Sequence, residues 1–224
     1  MIEEVKETKL DPVTFEVLKN GFINLVDQMS EQILRTCYSF VIYNCDFSCA
    51  LCDANGDTVM QGTQDIAVHV GTLHLTAKAV IEDFKDDIHE GDVFLVNDPY
   101  HGGTHFNDVR VVRPVFYDGH LIAFMQANGH WSDIGGSVPG SFDVGAKDIF
   151  GEGMRIPPVR MWSRGEYLED VANLLVSNMR VPKERLGDLR SQSEATKVAE
   201  NERLRLVEKY GIDTVLTAFK DSQN

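Results

Sequence analysis

The chain has 224 residues, 43% hydrophobic and 25% charged, the composition of a folded protein with room for one large domain or two small ones. A formal net charge of −14 argues against nucleic acid or an anionic membrane as partner, since either demands a basic face to meet phosphates. No apolar run approaches the roughly 20 residues of a spanning helix, and Met1-Ile2-Glu3-Glu4 lacks the regions of a signal peptide, so a cytoplasmic location is expected.

Residues 1 to 10 are charged and read as a frayed lead-in. Asp11-Pro12 then opens a helix, with Asp as the cap and Pro at the first helical position. Phe15, Leu18, Phe22, Leu25, Val26, Met29 and Ile33 follow at helical spacing and carry it to about Arg35 as a core-facing stripe. Cys37, Cys45, Cys49 and Cys52 are spaced suggestively, but no fourth ligand stands at a suitable distance. Buried thiols of a strand are the better reading.

Asn55-Gly56 marks a turn between strands at Phe47–Asp53 and Thr58–Gln61. Ile66 to Val70 reads as a further strand, and Thr72 as the cap of a helix running to about Phe84. Asp92 to Val96 is the next strand. Val109 to Phe116 and Leu121 to Ala127 flank Asp118-Gly119, the strongest hairpin signal in the chain. A Gly- and Pro-rich stretch from Gly129 to Pro158 is irregular, and long irregular segments of this kind are often functional. Glu169 to Met179 and a longer stretch from Pro182, with Leu186, Leu189, Leu204 and Val207 on its apolar side, are helical.

These elements predict an α+β fold: an N-terminal helix, a mixed, mainly antiparallel sheet carrying the site, and a helical C-terminal part. The expected division is a site-bearing domain over residues 1–165 and a helical segment over 166–224.

The densest chemistry lies in Asn97-Asp98-Pro99-Tyr100-His101-Gly102-Gly103-Thr104-His105-Phe106-Asn107-Asp108, at the end of an apolar strand. It offers imidazole and carboxylate donors around a Gly-Gly pair that lets the backbone fold tightly enough for them to converge. His105 and Asp108 form a short ligand pair that needs a further donor. The hairpin supplies one: with Asp118 and Gly119 as its turn, Tyr117 pairs with His120, and the same register continued puts His130 opposite Asn107. His105 and His130 then share a face. Asp108 points the other way in a regular strand and joins them only where a bulge intervenes or the strand starts after it.

His101 is a candidate general acid/base, because an imidazole titrates near neutral pH, and Asp98 either orients a ligand or caps the turn before Pro99. His69 and His74 read as satisfied core histidines, although either could line the site. Asp133 either orients a ligand histidine or makes a turn. Neither a G-x-S-x-G elbow nor a P-loop is present, so the chain does not visibly bind ATP.

At these residues the chain is similar to the hydantoinase B/oxoprolinase family. The resemblance runs from Asp11-Pro12-Val13-Thr14-Phe15-Glu16-Val17 to about residue 200. It is carried by Asp46-Phe47-Ser48-Cys49-Ala50, Asn97-Asp98-Pro99-Tyr100, Gly102-Gly103-Thr104-His105, Asn107-Asp108 and Gly129-His130-Trp131-Ser132-Asp133-Ile134-Gly135-Gly136. It implies a divalent metal (Mn, Zn or Fe) held by Asp46, His105, Asp108 and His130; Asp46 comes from the resemblance alone. It also implies a hetero-oligomer with a hydantoinase A-type subunit that binds ATP and phosphorylates a carbonyl oxygen or bicarbonate of a small-molecule substrate. The function so implied is a B-type subunit or fragment of an ATP-dependent cyclic-amide hydrolase of hydantoinase or 5-oxoprolinase type. The alternatives are a subunit of an ATP-dependent ketone carboxylase and a non-catalytic assembly module. Two departures stand out: Tyr43-Asn44-Cys45 occupies a place where many members carry an acidic residue, and B-type subunits are much longer.

Overall fold

A computed structural model of the protein describes residues 10–63 and 65–223. Of the lead-in expected over residues 1 to 10, only Leu10 is among them; its amide donates to Asp221. Asp11 caps helix α1 (Pro12–Thr36), its carboxylate accepting from the amides of Val13 and Thr14. The stripe from Leu18 to Ile33 is fully buried. A single turn, α2 (Phe40–Tyr43), follows.

Strands β1 (Phe47–Asp53), β2 (Thr58–Gln61), β3 (Val93–Val96), β4 (Asp108–Tyr117), β5 (His120–His130), β6 (Val159–Ser163) and β7 (Glu166–Tyr167) form one 7-stranded sheet, in the order β2-β1-β5-β4-β3-β6-β7. The fold is α+β as expected, and the sheet, expected to be mixed but mainly antiparallel, is antiparallel in all its described pairings. The long β4 and β5 occupy its centre. Val109, Val111 and Val115 of β4 share one core with α1, while Val112 faces the opposite side beside Phe94 and Val80.

The segment predicted as a strand at Ile66–Val70 is instead one turn of helix, α3 (Ala67–Val70). An apolar run this short fits either period. The Asp65 carboxylate decides: it accepts from the amides of Gly62 and Cys49 and turns the chain off the sheet edge. The turn exposes Val68 and buries His69. Helix α4 (Leu73–Phe84) then packs over β4 and β5 on the face opposite α1.

Within the irregular stretch lies one short helix, α5 (Ile149–Glu152). The hairpin β6–β7, which turns through Arg164 and Gly165, escapes the sequence reading. The division drawn after residue 165 falls inside that hairpin. Helix α6 (Glu169–Val176) is shorter than expected. The next helix, α7 (Pro182–Tyr210), runs to Gly211, whose φ of 84° ends it before α8 (Ile212–Gln223).

Helix α7 lies against α1, β4 and β5. Of the expected apolar side, Leu189 and Val207 are buried while Leu186 and Leu204 are only partly so. Most of the buried face is polar: Arg185, Asp188, Ser191, Gln192, Ser193, Thr196 and Arg203. Polar groups can sit there because each side chain finds at least one partner, although Arg185 Nε and Arg203 Nε and Nη1 make no hydrogen bond. Asp188 accepts from the amides of Tyr38 and Ser39 at 2.8 and 3.0 Å and pairs with Arg185 at 3.1 Å. It thereby binds the α1–α2 corner to α7.

The register of β4 on β5 departs from the regular one at a single point. Tyr117 faces His120 and Phe116 faces Leu121, as the Asp118-Gly119 turn dictates, but Val115 faces Ala123. Ile122 is an extra residue, a β-bulge, and every pair beyond it is shifted by one. Asp108 therefore lies opposite His130.

Asp188→Ala removes both bonds of the α1–α2 corner and leaves buried Arg185 with only Glu184 and Ser132 as side-chain partners, which should cost about 1–3 kcal/mol. Urea unfolding followed by circular dichroism checks this; a loss under about 1 kcal/mol, the size of an exposed ion pair, would show that Asp188 does not join these elements.

Candidate metal centre

The one-residue shift makes the site. In the regular register Asp108 and His130 would point to opposite faces; beyond the bulge they share the face covered by α3 and α4. Three further segments bring donors to them. The loop before β1 carries Asp46, whose carbonyl accepts from the His130 amide at 3.0 Å. The turn α3 carries His69. The loop between a 3-10 turn (Pro99–His101) and β4 carries Thr104 and His105.

That loop reverses sharply because of its two glycines. Gly102 has a φ of 87°, and a Cβ there would stand 2.4 Å from the Cβ of Leu75. One on Gly103 would stand 2.5 Å from the Asn97 carbonyl oxygen. Asn97 fastens the loop from below, donating to the carbonyls of Phe106 and Met154 and accepting from the amide of Ile156. Asn107 and Trp131 close the end of the hairpin. The Trp131 amide donates to the Asn107 carbonyl, and the Asn107 side chain donates to the Trp131 carbonyl.

The Asp108 carboxylate is buried at the centre of the cluster. Its Oδ2 lies 2.8 Å from His105 Nδ1 and 3.2 Å from His69 Nε2, and accepts from the Thr104 hydroxyl. Its Oδ1 lies 3.6 Å from His130 Nδ1, which is 3.5 Å from Asp46 Oδ2. The rings of His105 and His130 are 4.9 Å apart. Burial alone would raise the pKa of Asp108, but the imidazoles of His105, His130 and His69 outweigh it and hold the carboxyl well below the usual range. In return, the hydrogen bond to Asp108 raises the pKa of His105.

His69 sits deepest, and its protonation can be followed through its neighbours. Arg110, buried two residues along β4, only donates, so its Nε fixes Asn128 Oδ1 toward itself. Asn128 Nδ2 then faces His69 Nδ1 at 3.2 Å, making that nitrogen the acceptor. That arrangement leaves Nε2, 3.2 Å from Asp108 Oδ2, as the nitrogen free to donate, while the Ser48 hydroxyl also lies 3.0 Å from Nδ1. His69 thus orients Asp108, although Asp46, His69 and Asp108 also have ligand atoms close enough to share an ion. His69 is the site residue whose role the sequence reading leaves open, because its misread strand hides which way the ring points.

The donor set fits a divalent cation. His105, Asp108 and His130 have ligand atoms within 4.8 Å of one another, and Asp46 borders them. Asp108 Oδ1 is buried without a hydrogen-bond partner, a state that costs about 1–3 kcal/mol and that a cation removes. His105, with a side chain 42% exposed, faces a cleft of about 270 Å³ lined by Phe106, Asn107, Ser141, Phe142, Asp143, Val144 and Glu152. The cysteines take no part: Cys49 and Cys52 are buried in β1, the Cys52 thiol pushed up to about 12 by burial.

His101 and Asp98 form a separate pair. Buried Asp98 accepts from the Tyr100 amide and holds His101 Nδ1 at 2.9 Å, with Arg155 Nε 3.7 Å away and Asp83 3.9 Å from His101 Nε2. Among the described residues, no hydrogen bond or ion pair joins this pair to the metal-type cluster. Asp133, expected either to orient a histidine or to make a turn, makes the turn. It accepts from the amides of Gly135, Gly140 and Arg180 and from the Arg180 guanidinium. Arg180 also donates to the carbonyls of Gly136 and Val138, so the two side chains clasp the start of the loop that walls the cleft.

The model of hydantoinase B/oxoprolinase proteins matches residues 11–224. The chain is 40% identical over 95% of its length to the beta subunit of caprolactamase from Pseudomonas jessenii, spanning 37% of that protein. It is 32% identical over 93% of its length to 5-oxoprolinase from Dictyostelium discoideum, spanning 16% of it. Its fold matches the crystal structure of the ATP-dependent caprolactamase from Pseudomonas jessenii with a TM-score of 0.90 at 38% identity, over 96% of this chain and 37% of that one. The chain thus spans well under half the length of these relatives.

Two measurements test the geometry. Metal content after dialysis against Mn(II) or Zn(II), read by mass spectrometry, should fall from near one ion per chain, as one such site would hold, to background in a His105→Ala/His130→Ala variant of unchanged circular dichroism; equal content in both would remove the site. The pKa of Asp133 is lowered: burial opposes this, but the amides of Gly135, Gly140 and Arg180 and the guanidinium prevail. A lowered carboxyl contributes stability above its unfolded pKa and loses it as pH falls through the folded value. Asp133→Asn should therefore cost about 1–3 kcal/mol at neutral pH and less below about pH 4, in denaturant titrations across that range.

Proposed function

The chain belongs to the hydantoinase B/oxoprolinase family, and we propose that it forms the metal-bearing part of an ATP-dependent cyclic-amide hydrolase that works with an A-type, ATP-binding subunit. The observation that carries this reading is the buried Asp108 carboxylate, which the bulge in β5 sets opposite His130, with one oxygen unpartnered among histidines. The likeness to the beta subunit of a caprolactamase favours a lactam as the substrate class.

In this reading Asp46, His105, Asp108 and His130 hold the divalent ion, Mn, Zn or Fe. Bound there, the ion supplies Lewis-acid polarisation of a carbonyl or phosphoryl oxygen. The residues of the chain do the rest. His69 and Thr104 fix Asp108 by donating to it, so that its free oxygen faces the site. The exposed edge of His105 borders the apolar cleft, where the ring of a lactam can lie with its carbonyl toward the cluster. The A-type subunit uses ATP to activate that carbonyl. His101, its Nδ1 held by Asp98, offers Nε2 to carry a proton.

The test is reconstitution of the chain with an A-type subunit, Mg-ATP and the metal. Phosphate release that depends on a lactam or hydantoin, with the ring-opened amino acid as product, is the expected result. Phosphate release that requires a ketone and bicarbonate, without lactam turnover, assigns a ketone carboxylase instead. A stable complex inactive in every arm makes the chain an assembly module.

A further inference from the structure

We infer that Gln192, on a helix that carries none of the candidate metal-binding residues, is a positioning residue that sets the spacing of Asp108 and His130 from behind the sheet. The inference rests on the metal-centre reading above.

Gln192 lies on α7 and is fully buried. Its Nε2 donates to the carbonyl of Val109 on β4 at 2.8 Å and to the carbonyl of Ala127 on β5 at 2.9 Å. Its Oε1 accepts from the indole Nε1 of Trp131 at 2.9 Å. An indole nitrogen can only donate and a carbonyl can only accept, so the three partners allow the amide one orientation. Val109 is the residue after Asp108, and Trp131 is the residue after His130. One planar amide therefore holds the backbone or side chain next to each central donor.

The approach is built into the strand. A Cβ on Gly129 would stand 3.0 Å from Cδ of Gln192 and 2.9 Å from Cδ1 of Ile42, so a side chain there would push on the amide where it lies against β5. The reciprocal bonds of Asn107 and Trp131 close the hairpin just beyond. A leucine or methionine would fill the same volume and hold neither strand. A buried amide is tolerable only with its bonds made, and here every bond falls on the two strands that meet at the site. Metal donors must be held to within about 0.5 Å of a productive geometry. On the front face the donors sit on loops and strand ends, so the rigid reference is this clamp behind them.

Gln192→Met keeps the volume and removes all three bonds. Binding of Co(II) and Zn(II) to the full chain is measured by competition with a chelating dye, and the visible absorption of bound Co(II) reports the coordination. The expected result is a Kd raised about 10- to 100-fold, with a changed Co(II) spectrum. Leu189→Ala, in the buried core of the same helix, is the control: it should lower thermal stability while leaving Kd and spectrum as in the wild type. A Gln192→Met chain that binds and absorbs like the wild type overturns the inference, as does a Leu189→Ala chain whose Kd rises equally. Should Gln192→Met fail to fold, Trp131→Phe takes its place, since it frees the amide to rotate, and an unchanged Kd then overturns the proposal. A wild-type chain that binds neither ion defeats the metal-centre reading itself, a result distinct from failure at Gln192.

Discussion

Everything at the site depends on one unpaired residue in a hairpin. Ile122 enters β5 without a partner on β4, and from there to the open end of the hairpin each strand residue faces a neighbour one step along. A strand alternates faces with a period of two, so the extra residue in β5 carries His130 from the α7 side to the side of Asp108 and His69. No movement of side chains could achieve the same result. The bulge sits near the turn and the metal-type cluster at the far end, so the whole length of the two central strands carries the consequence. Arg203 of α7 donates to the Ile122 carbonyl at 3.4 Å. The irregularity is thus anchored from the same helix that holds the opposite end through Gln192.

Helix α7 serves the sheet in an unusual way for a long helix in a core. Its inward face is a row of polar groups that bond to backbone and side chains of the hairpin: Gln192 to both strands, Arg113 of β4 to Ser193 and Thr196, Arg185 to Ser132. Hydrophobic packing holds layers together without specifying their register to a fraction of an ångström, whereas satisfied hydrogen bonds do. The division of labour is visible across the sheet. One face supplies donors and a cleft, and the other supplies fixed reference points.

What the residues reveal in advance divides along the same line. Asp11-Pro12 and the stripe behind it give α1 almost to the residue, because a cap, a proline and a period of 3.6 are local signals. Asn55-Gly56 and Asp118-Gly119 locate their hairpins for the same reason. The hairpin turn brings His130 near the His105 loop, but the register that set His130 opposite Asn107 is not the one formed, and His105 reaches it from the loop that Gly102 and Gly103 reverse; Asp46 comes from the family motif. The bulge itself is not legible: Val-Phe-Tyr and His-Leu-Ile-Ala pair acceptably in either register, and the Arg203 contact at the bulge comes from far along the chain. Nor is the inward face of α7, since a search for apolar periodicity passes over Gln192 and Asp188. The role of His69 stays open because five apolar-leaning residues fit a strand as well as a helical turn, and only the bonds of Asp65 tell them apart. The β6–β7 hairpin is hidden by its Arg164-Gly165 turn, which lacks the Asn or Asp that usually announces one.

The clasp of Asp133 and Arg180 on the loop beside the cleft has a consequence for substitution. Both side chains hold that loop by its backbone, grasping the amides and carbonyls of Gly135, Gly136, Val138 and Gly140, and none of these bonds uses the side chains that face outward further along. Phe142 and Val144 stand mostly free in solvent at the mouth of the cleft. A wall fastened in this manner can exchange its outward residues one at a time without loosening. Substitutions at Phe142 and Val144 can therefore change what the cleft admits without disturbing the clasp or the cluster behind His105.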